Sequence, residues 1–382
     1  MRDMLIDVTR LVGRVLIKAR LATGIDRVGL AYVAHYRHRA RAVVRIRSRL
    51  LVLGAQASSE LFAKLLDPKP AYKMSLSVQL AKAWWTSPGN LEQAVLLNTG
   101  HSGLEVPAYS TSLQRLGVSP VFLLHDLIPI SHPEYCRAGE LDRHRRRIDT
   151  ALKVGRGLIL NSRETLKELQ DYADQKNWPL PPAIAAHLAP PTLPAPGGNP
   201  VGKPYFVMLG TIEPRKNHWM LLQVWRSLIE QYGSHAPQLI IVGQRGWECE
   251  NVVDLLERGA HLREHVVELP RCTDAQLSTY LHHAQALLFP SFAEGYGLPL
   301  VEALSVGTPV IASNLPVFHE IAGDIPEYLD PLDGPGWRSL IDAYSVTDSS
   351  MREAQKLRMQ HYVPPSWSRH FEQVDAFLEK LA

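Results

Sequence analysis

The 382-residue sequence predicts an α/β protein of two domains, each built on a parallel sheet. Three observations carry this. Short apolar runs alternate with longer amphipathic stretches along the chain, the pattern of strand–helix–strand units. The runs, such as residues 121–124 and 205–209, are apolar throughout, as in strands buried on both faces. The length, at about 150 residues per domain, suits two domains or more, and the charge changes sign near the middle. Residues 1–200 carry 27 Lys and Arg against 16 Asp and Glu, whereas residues 201–382 carry 14 against 22.

In chain order, residues 4–8 read as a strand and 24–36 as the start of a helix. Residues 94–97 form an apolar run ending in Asn98-Thr99-Gly100-His101, and 121–124 another ending in His125-Asp126. A third run, 157–160, leads to Asn161-Ser162, a helix cap ahead of 164–169. Residues 177–204 hold nine prolines and three glycines, which exclude helix and central strand there. This places a linker at 188–203, between an N-terminal domain of residues 1–190 and a C-terminal domain of residues 204–364. The rhythm then repeats. Residues 205–209 lead to a loop and a helix from about Asn217, and 239–242 lead to Gly243-Gln244-Arg245-Gly246. Residues 266–269, 286–289 and 309–312 are further strands. A last helix covers about 365–382.

Several classes are excluded. No apolar run approaches the ~18 residues of a membrane-spanning helix. Asp3 and Asp7 interrupt the apolar core that a secretory signal needs, so no signal peptide is expected. Cys136, Cys249 and Cys272 are widely spaced and odd in number, which suggests unpaired thiols in a reducing compartment, and no Cys-x-x-Cys supports a zinc knuckle. The basic half concentrates Arg37, Arg39, Arg41, Arg45, Arg47 and Arg49, then Arg143, Arg145, Arg146 and Arg147. Such a face binds an anionic membrane, a phosphorylated substrate or nucleic acid, or is merely solvated. No aromatics interleave with the arginines, which argues against single-stranded nucleic acid.

In open parallel sheets ligands bind beyond the carboxyl ends of strands, so the loops there are the candidate sites. The segment from Pro290 to Leu304 combines Glu294, Gly295, Tyr296 and Gly297 in a loop with Pro299 and Glu302 in the following helix. The glycines allow close backbone approach, the helix N-terminus attracts a phosphate, and a carboxylate so placed can accept two hydroxyls of a ribose or sugar. Alternatively, both glutamates only favour the helix N-terminus electrostatically. In Gly210-Thr211-Ile212-Glu213-Pro214-Arg215-Lys216-Asn217, Arg215 and Lys216 are adjacent cations at a helix mouth. They oppose the helix dipole, so they call for a compensating anion, such as a diphosphate. His125-Asp126 offers a histidine to orient a hydroxyl, or a turn cap, and Thr23-Gly24 is a weaker loop of the same kind. There is no Walker loop, no Gly-x-Ser-x-Gly, no His-Glu-x-x-His and no Asp-x-Asp to hold a metal against a diphosphate.

These segments together resemble family-4 retaining glycosyltransferases: the Glu-x7-Glu pair Glu294/Glu302 in PSFAEGYGLPLVEAL, then GTIEPRKN, GQRGW, GTPVIAS and HEIAGD, with HDLIP, ILNS and TGIDR before them. The combination is most similar to bacterial mannosyltransferases of surface-polysaccharide assembly. The resemblance implies the GT-B fold, with two Rossmann-like domains across a cleft, the donor in the C-terminal domain, the acceptor in the N-terminal one and the last helix packed back on the latter. It implies that Arg215 and Lys216 bind the donor diphosphate and that Glu302 holds the ribose. It further implies that Glu294 with Gly295, Tyr296 and Gly297 holds the sugar, that His125 sits at the sugar and that Gly24 lies near phosphate and acceptor, with Asp126 beside His125. Thr211 stands where many relatives carry an arginine, and Arg215 would substitute for it. The implied reaction is metal-independent and retaining, from GDP-mannose in the first instance, onto a glycan or lipid-linked acceptor at the inner face of the cytoplasmic membrane. The basic half would meet that membrane, and nucleic acid is not implied. The rival readings are a sugar-nucleotide epimerase or hydrolase on the same architecture, and a non-catalytic binder.

Overall fold

A computed structural model describes residues 3–17, 23–47, 49–68, 80, 83, 84 and 89–381. The chain divides into two compact units. One comprises Met1–Ile130, Gly139–Leu188 and Trp367–Ala382, the other Ser131–Ala138 and Ala189–Ser366. Residues 131–138 thus leave the N-terminal stretch in which sequence placed them, because Tyr135 stacks on Phe292 (5.2 Å between ring centres) and its carbonyl accepts the Trp247 indole N–H at 3.3 Å.

The first unit holds strands β1 (Met4–Asp7), β2 (Ala40–Ile46), β3 (Arg49–Val52), β4 (Val95–Asn98), β5 (Ser119–Leu124), β6 (Gly157–Leu160) and β7 (Ala183–Ala185). Their order is β3-β2-β1-β4-β5-β6-β7, parallel except for the β2–β3 hairpin. Its register pairs Leu5 with Arg41 on one side and with Leu96 on the other. Strands β1, β4 and β6 are buried at every residue, which is why they read as unbroken apolar runs. Leu5, Leu96, Phe122, Leu158 and Ile148 of helix Glu140–Val154 share one core cluster. Ser162 caps helix Arg163–Gln175 by accepting the Thr165 N–H at 3.0 Å.

The second unit holds β8 (Tyr205–Leu209), β9 (Gln238–Val242), β10 (Val266–Leu269), β11 (Leu287–Phe289), β12 (Val310–Ser313) and β13 (Glu327–Leu329). All are parallel, in the order β10-β9-β8-β11-β12-β13. Phe206, Leu239, Leu288 and Ile311 pack with Trp225 of helix His218–Tyr232 and Trp337 of helix Gly334–Ser345. Between the units the chain is irregular from 186 to 204, over the Pro-rich stretch.

Most of the arginine-rich stretch 37–49 belongs to the antiparallel pair β2–β3, and several of its side chains are held by this unit. Arg41 Nε donates to Leu53 O at 2.9 Å, Arg45 Nη1 to Arg47 O at 2.9 Å, and Arg39 pairs with Asp375 at 2.6 Å. In helix Glu140–Val154, Arg143 and Arg147 share Glu105, at 2.8 and 3.4 Å. No disulfide joins the three cysteines. Among the described residues no helix is long and apolar enough to cross a membrane.

Candidate functional site

In each sheet the chain order reverses between two central strands, and the loops beyond those carboxyl ends diverge to leave room for a ligand. In the second unit the reversal lies between β8 and β11. The two loops there carry the Arg215-Lys216 pair and Glu294.

The β8 loop is shaped by glycine contacts. Gly210 has φ +146°, and the β9 turn packs so closely on it that a Cβ at Gly243 would lie 1.8 Å from Gly210 O. A Cβ at Gly246 would come within 2.8 Å of Thr211 Cγ2. The two turns are joined by the Gly246 N–H donating to Ile212 O at 2.9 Å. Residues Pro214–Lys216 make one 3-10 turn, and Asn217, at φ +59°, starts helix His218–Tyr232. The Phe292 N–H donates to Arg215 O at 2.8 Å, clamping the β11 loop to the β8 loop.

The side chains then converge. Arg215 Nη1 lies 2.8 Å from Glu294 Oε2 and its Nε 2.6 Å from Glu213 Oε1. Arg215 Nη1 also donates to Ala293 O at 3.0 Å. Lys216 Nζ lies 2.5 Å from Glu294 Oε1, which accepts the Ser291 hydroxyl at 2.8 Å, and 4.8 Å from the centre of the Phe289 ring. Burial would raise the Glu294 carboxyl, but Arg215 and Lys216 outweigh it and hold it at about 2. Burial lowers Lys216 against the pull of Glu294, and raises Glu213 against Arg215 and Lys216. Two cations and two carboxylates thus form a nearly dry, neutral cluster. The compensating anions that the two cations call for are, in this state, Glu213 and Glu294.

Of the other expected donor-binding residues, Tyr296 is buried, and Gly297, at φ +111°, precedes helix Leu298–Ser305 with room only for hydrogen: a Cβ would meet Phe318 Cε1 at 2.8 Å. Gly295 lies between them and Glu294. Glu302 is buried in the body of that helix. The sequence reading assigned no role to Glu213 or Ser291, although both stand inside the motifs it quoted. His218 stands just beyond the GTIEPRKN segment, where no local signal marks it. It is fully buried, neither ring nitrogen finds a partner among the described residues, and burial followed by Lys216 depresses it to about 3.

In the first unit the reversal lies between β1 and β4. His125 follows β5 and is buried; its Nε2–H donates to Thr99 O at 2.8 Å, which leaves Nδ1 as the acceptor in the neutral ring. Burial keeps it below the ordinary histidine range, against the Thr99 bond. Asn161 Nδ2 donates to His125 O at 2.7 Å, and His144 Nε2 to Asp126 O at 3.0 Å. Asp126 accepts the Ile128 N–H at 3.2 Å and so serves the turn. His101, at φ +58°, donates to Leu123 O at 3.0 Å with its ring 5.1 Å from that of His125. Gly24 opens helix Gly24–Tyr36, whose N-terminus is closed by Thr23 and Asp26. Asn161 and His144 hold the His125-Asp126 peptide, and sequence reading missed that role for both.

Comparison with known proteins follows the same division. Residues 191–325 match the family profile described as "Glycosyl transferases group 1". Over 241 residues, 59% of this chain and 29% of the relative, the sequence is 28% identical to the serotype-specific mannosyltransferase WbdA of Escherichia coli. Over 155 residues, 40% of each chain, it is 38% identical to the O-antigen chain mannosyltransferase B of Escherichia coli. The chain therefore spans less than a third of WbdA and two fifths of mannosyltransferase B. The crystal structure of Anabaena Alr3699/HepE in complex with UDP and glucose superposes with a TM-score of 0.67 at 15% identity, covering 99% of this chain and 100% of that one. That likeness is one of fold, and the fold is GT-B, as the sequence led one to expect.

Proposed function

We propose, from the premise that residues 191–325 form a group 1 glycosyltransferase domain, that this protein moves a hexose from a nucleoside-diphosphate sugar to a glycan or lipid-linked acceptor. The names of its relatives favour mannose, and hence GDP-mannose as the first donor to test, in assembly of a cell-surface polysaccharide at the cytoplasmic membrane. The observation that carries the reading is the convergence of Arg215 and Lys216 on Glu294 at the strand-order reversal of the second unit.

The chemistry follows from charge. As the bond from the anomeric carbon to the diphosphate breaks, negative charge grows on the phosphate oxygens. Donors already in place around that charge lower the barrier, and removing a single one raises it by about 3 kcal/mol. In this reading Arg215 and Lys216 exchange part of their carboxylate pairing for the phosphate. Glu294, freed towards the sugar, accepts its hydroxyls, and Glu302 accepts those of the ribose. Retention of configuration, with the departing phosphate taking the acceptor proton, belongs to the same proposal. So does neutralisation by the two cations without a metal.

A panel of nucleotide sugars, screened by thermal shift and then by product mass, tests it. GDP-mannose should stabilise the protein and yield an acceptor heavier by one hexose, with turnover unchanged by a chelator. Consumption of donor without acceptor would instead indicate a hydrolase or epimerase, and stable binding with no product a binding protein.

A further inference from the structure

We propose that the first unit carries a phosphoryl-binding subsite formed by Arg10 and Arg14. Arg10 Nε lies 2.9 Å from Asp26 Oδ1, and Arg14 Nε lies 2.8 Å from Asp26 Oδ2. Asp26 is 0% exposed and also accepts the Thr23 N–H at 2.9 Å and the Thr23 hydroxyl at 2.8 Å. Its two oxygens thus take four donors. Burial opposes ionisation, but Arg10, Thr23 and Arg14 prevail and hold the carboxyl below its ordinary range.

One carboxylate cannot balance two guanidiniums, so the cluster keeps one net positive charge. A guanidinium has five N–H donors, and each arginine has committed only the one on Nε. Among the described residues no partner is recorded for the terminal nitrogens, and the side chains remain 29% and 26% exposed. A fork of this kind, fixed by its inner edge and open at its outer one, suits the oxygens of a phosphoryl group in bidentate fashion.

The pair is also pre-positioned. A Cβ at Gly100 would lie 3.0 Å from Arg10 Cδ, so the Arg10 stem is laid against the backbone of the loop after β4. That loop and the segment after β1 flank the strand-order reversal, where open sheets receive ligands. Arg10 is close enough to help depress His125. Both Thr23 donors fall on Oδ2, so Arg10 serves Oδ1, and Arg14 is a second cation placed on an oxygen that Thr23 already bonds twice.

The anion chemistry stands on these residues alone. Only the identity of the molecule bearing the phosphate rests on the transferase reading: a donor nucleoside diphosphate, or the diphosphate of a lipid-linked acceptor. Arginine-directed dicarbonyl labelling of the intact wild-type protein, read by peptide mass, tests the site without a variant. Inorganic pyrophosphate should slow labelling of Arg10 and Arg14 at least tenfold. Protection by GDP would then assign the site to the donor, and protection by a short-chain prenyl diphosphate sugar, but not GDP, would assign it to the acceptor. Unchanged labelling of both arginines with all three probes, while GDP still protects Arg215, would overturn the proposal. A second measurement uses R10K/R14K, which keeps charge but removes the fork. With a thermal midpoint near that of the wild type, it should bind pyrophosphate at least tenfold more weakly at this unit; equal affinity overturns the assignment. Protection at Arg10 and Arg14 with no sugar transfer in the donor panel would sink the transferase reading and leave the subsite standing. Transfer without protection would do the reverse.

Discussion

Lys216 carries the heaviest demand of any single residue. It is buried, short of solvent, and bonded to a carboxylate that, under the proposed function, the donor would partly displace. Lys216→Ala should lower kcat about a hundredfold, as for loss of one charge-stabilising donor. Arg215 still pairs with Glu294, so the thermal midpoint should move far less than the turnover. Transfer at the parent rate would remove the phosphate assignment. Its neighbour His218 makes a different prediction. A base whose pKa is depressed on folding, here to about 3 from the ordinary 6.5, binds fewer protons folded than unfolded. Stability it contributes is present above about pH 6.5 and is lost as pH falls from there towards 3. His218→Leu should flatten that loss. The difference in urea stability between the two proteins should change by about 1.4 kcal/mol per pH unit below pH 6. Parallel pH curves would show that His218 finds a partner in solution.

Elements position these residues through backbone contacts that composition hardly hints at. The β8 and β9 turns touch through glycine, and Gly243 has no room for a methyl group beside Gly210 O. Gly243→Ala should cost about 3 kcal/mol, the upper range for overpacking, seen as a lower urea midpoint at unchanged slope. It should also impair donor binding by shifting the loop that bears Arg215. A variant as stable as the parent would show that the turn yields. The strands of this unit were legible because parallel strands buried on both faces are apolar without interruption: residues 205–209 and 266–269 match β8 and β10 to the residue. The β2–β3 hairpin was not legible. It lies at the sheet edge, its arginines break the apolar run, and charge dominates its local pattern. The three-residue β7 and β13 were missed because they are only half-buried, whereas the equally short β11 is fully buried and reads as an apolar run.

At the scale of the whole molecule, the chain returns at its end to the unit where it began. Helix Trp367–Lys380 buries Phe371, Val374, Phe377 and Leu378 in the first unit, with Leu381 beyond it. Tyr32 OH donates to His370 Nε2 at 2.9 Å, while His370 Nδ1–H donates to His187 O at 3.1 Å. Each large apolar side chain is worth about 1.5–3 kcal/mol when buried, so the five together rival the whole ~5–15 kcal/mol stability of a domain. A chain ending at residue 366 should therefore lose amide protection in helix Gly24–Tyr36 and β1, while β8 to β12 stay protected in hydrogen exchange. Protection unchanged in the first unit would show that this helix is dispensable.

Sequence by itself determined the α/β class, the repeated strand–helix rhythm, the Pro-rich break and the loops that follow the strands, because burial on both faces and the turn residues write themselves locally. Arg215, Lys216 and Glu294 were readable as charged loop residues for the same reason. Only the tertiary structure decided what those charges touch. Glu294 lies 78 residues from Lys216 in the chain, Asp26 lies 16 from Arg10, and Leu381 packs on Gly157. Such pairings depend on which strands neighbour one another at the centre of each sheet, and no local pattern encodes that order.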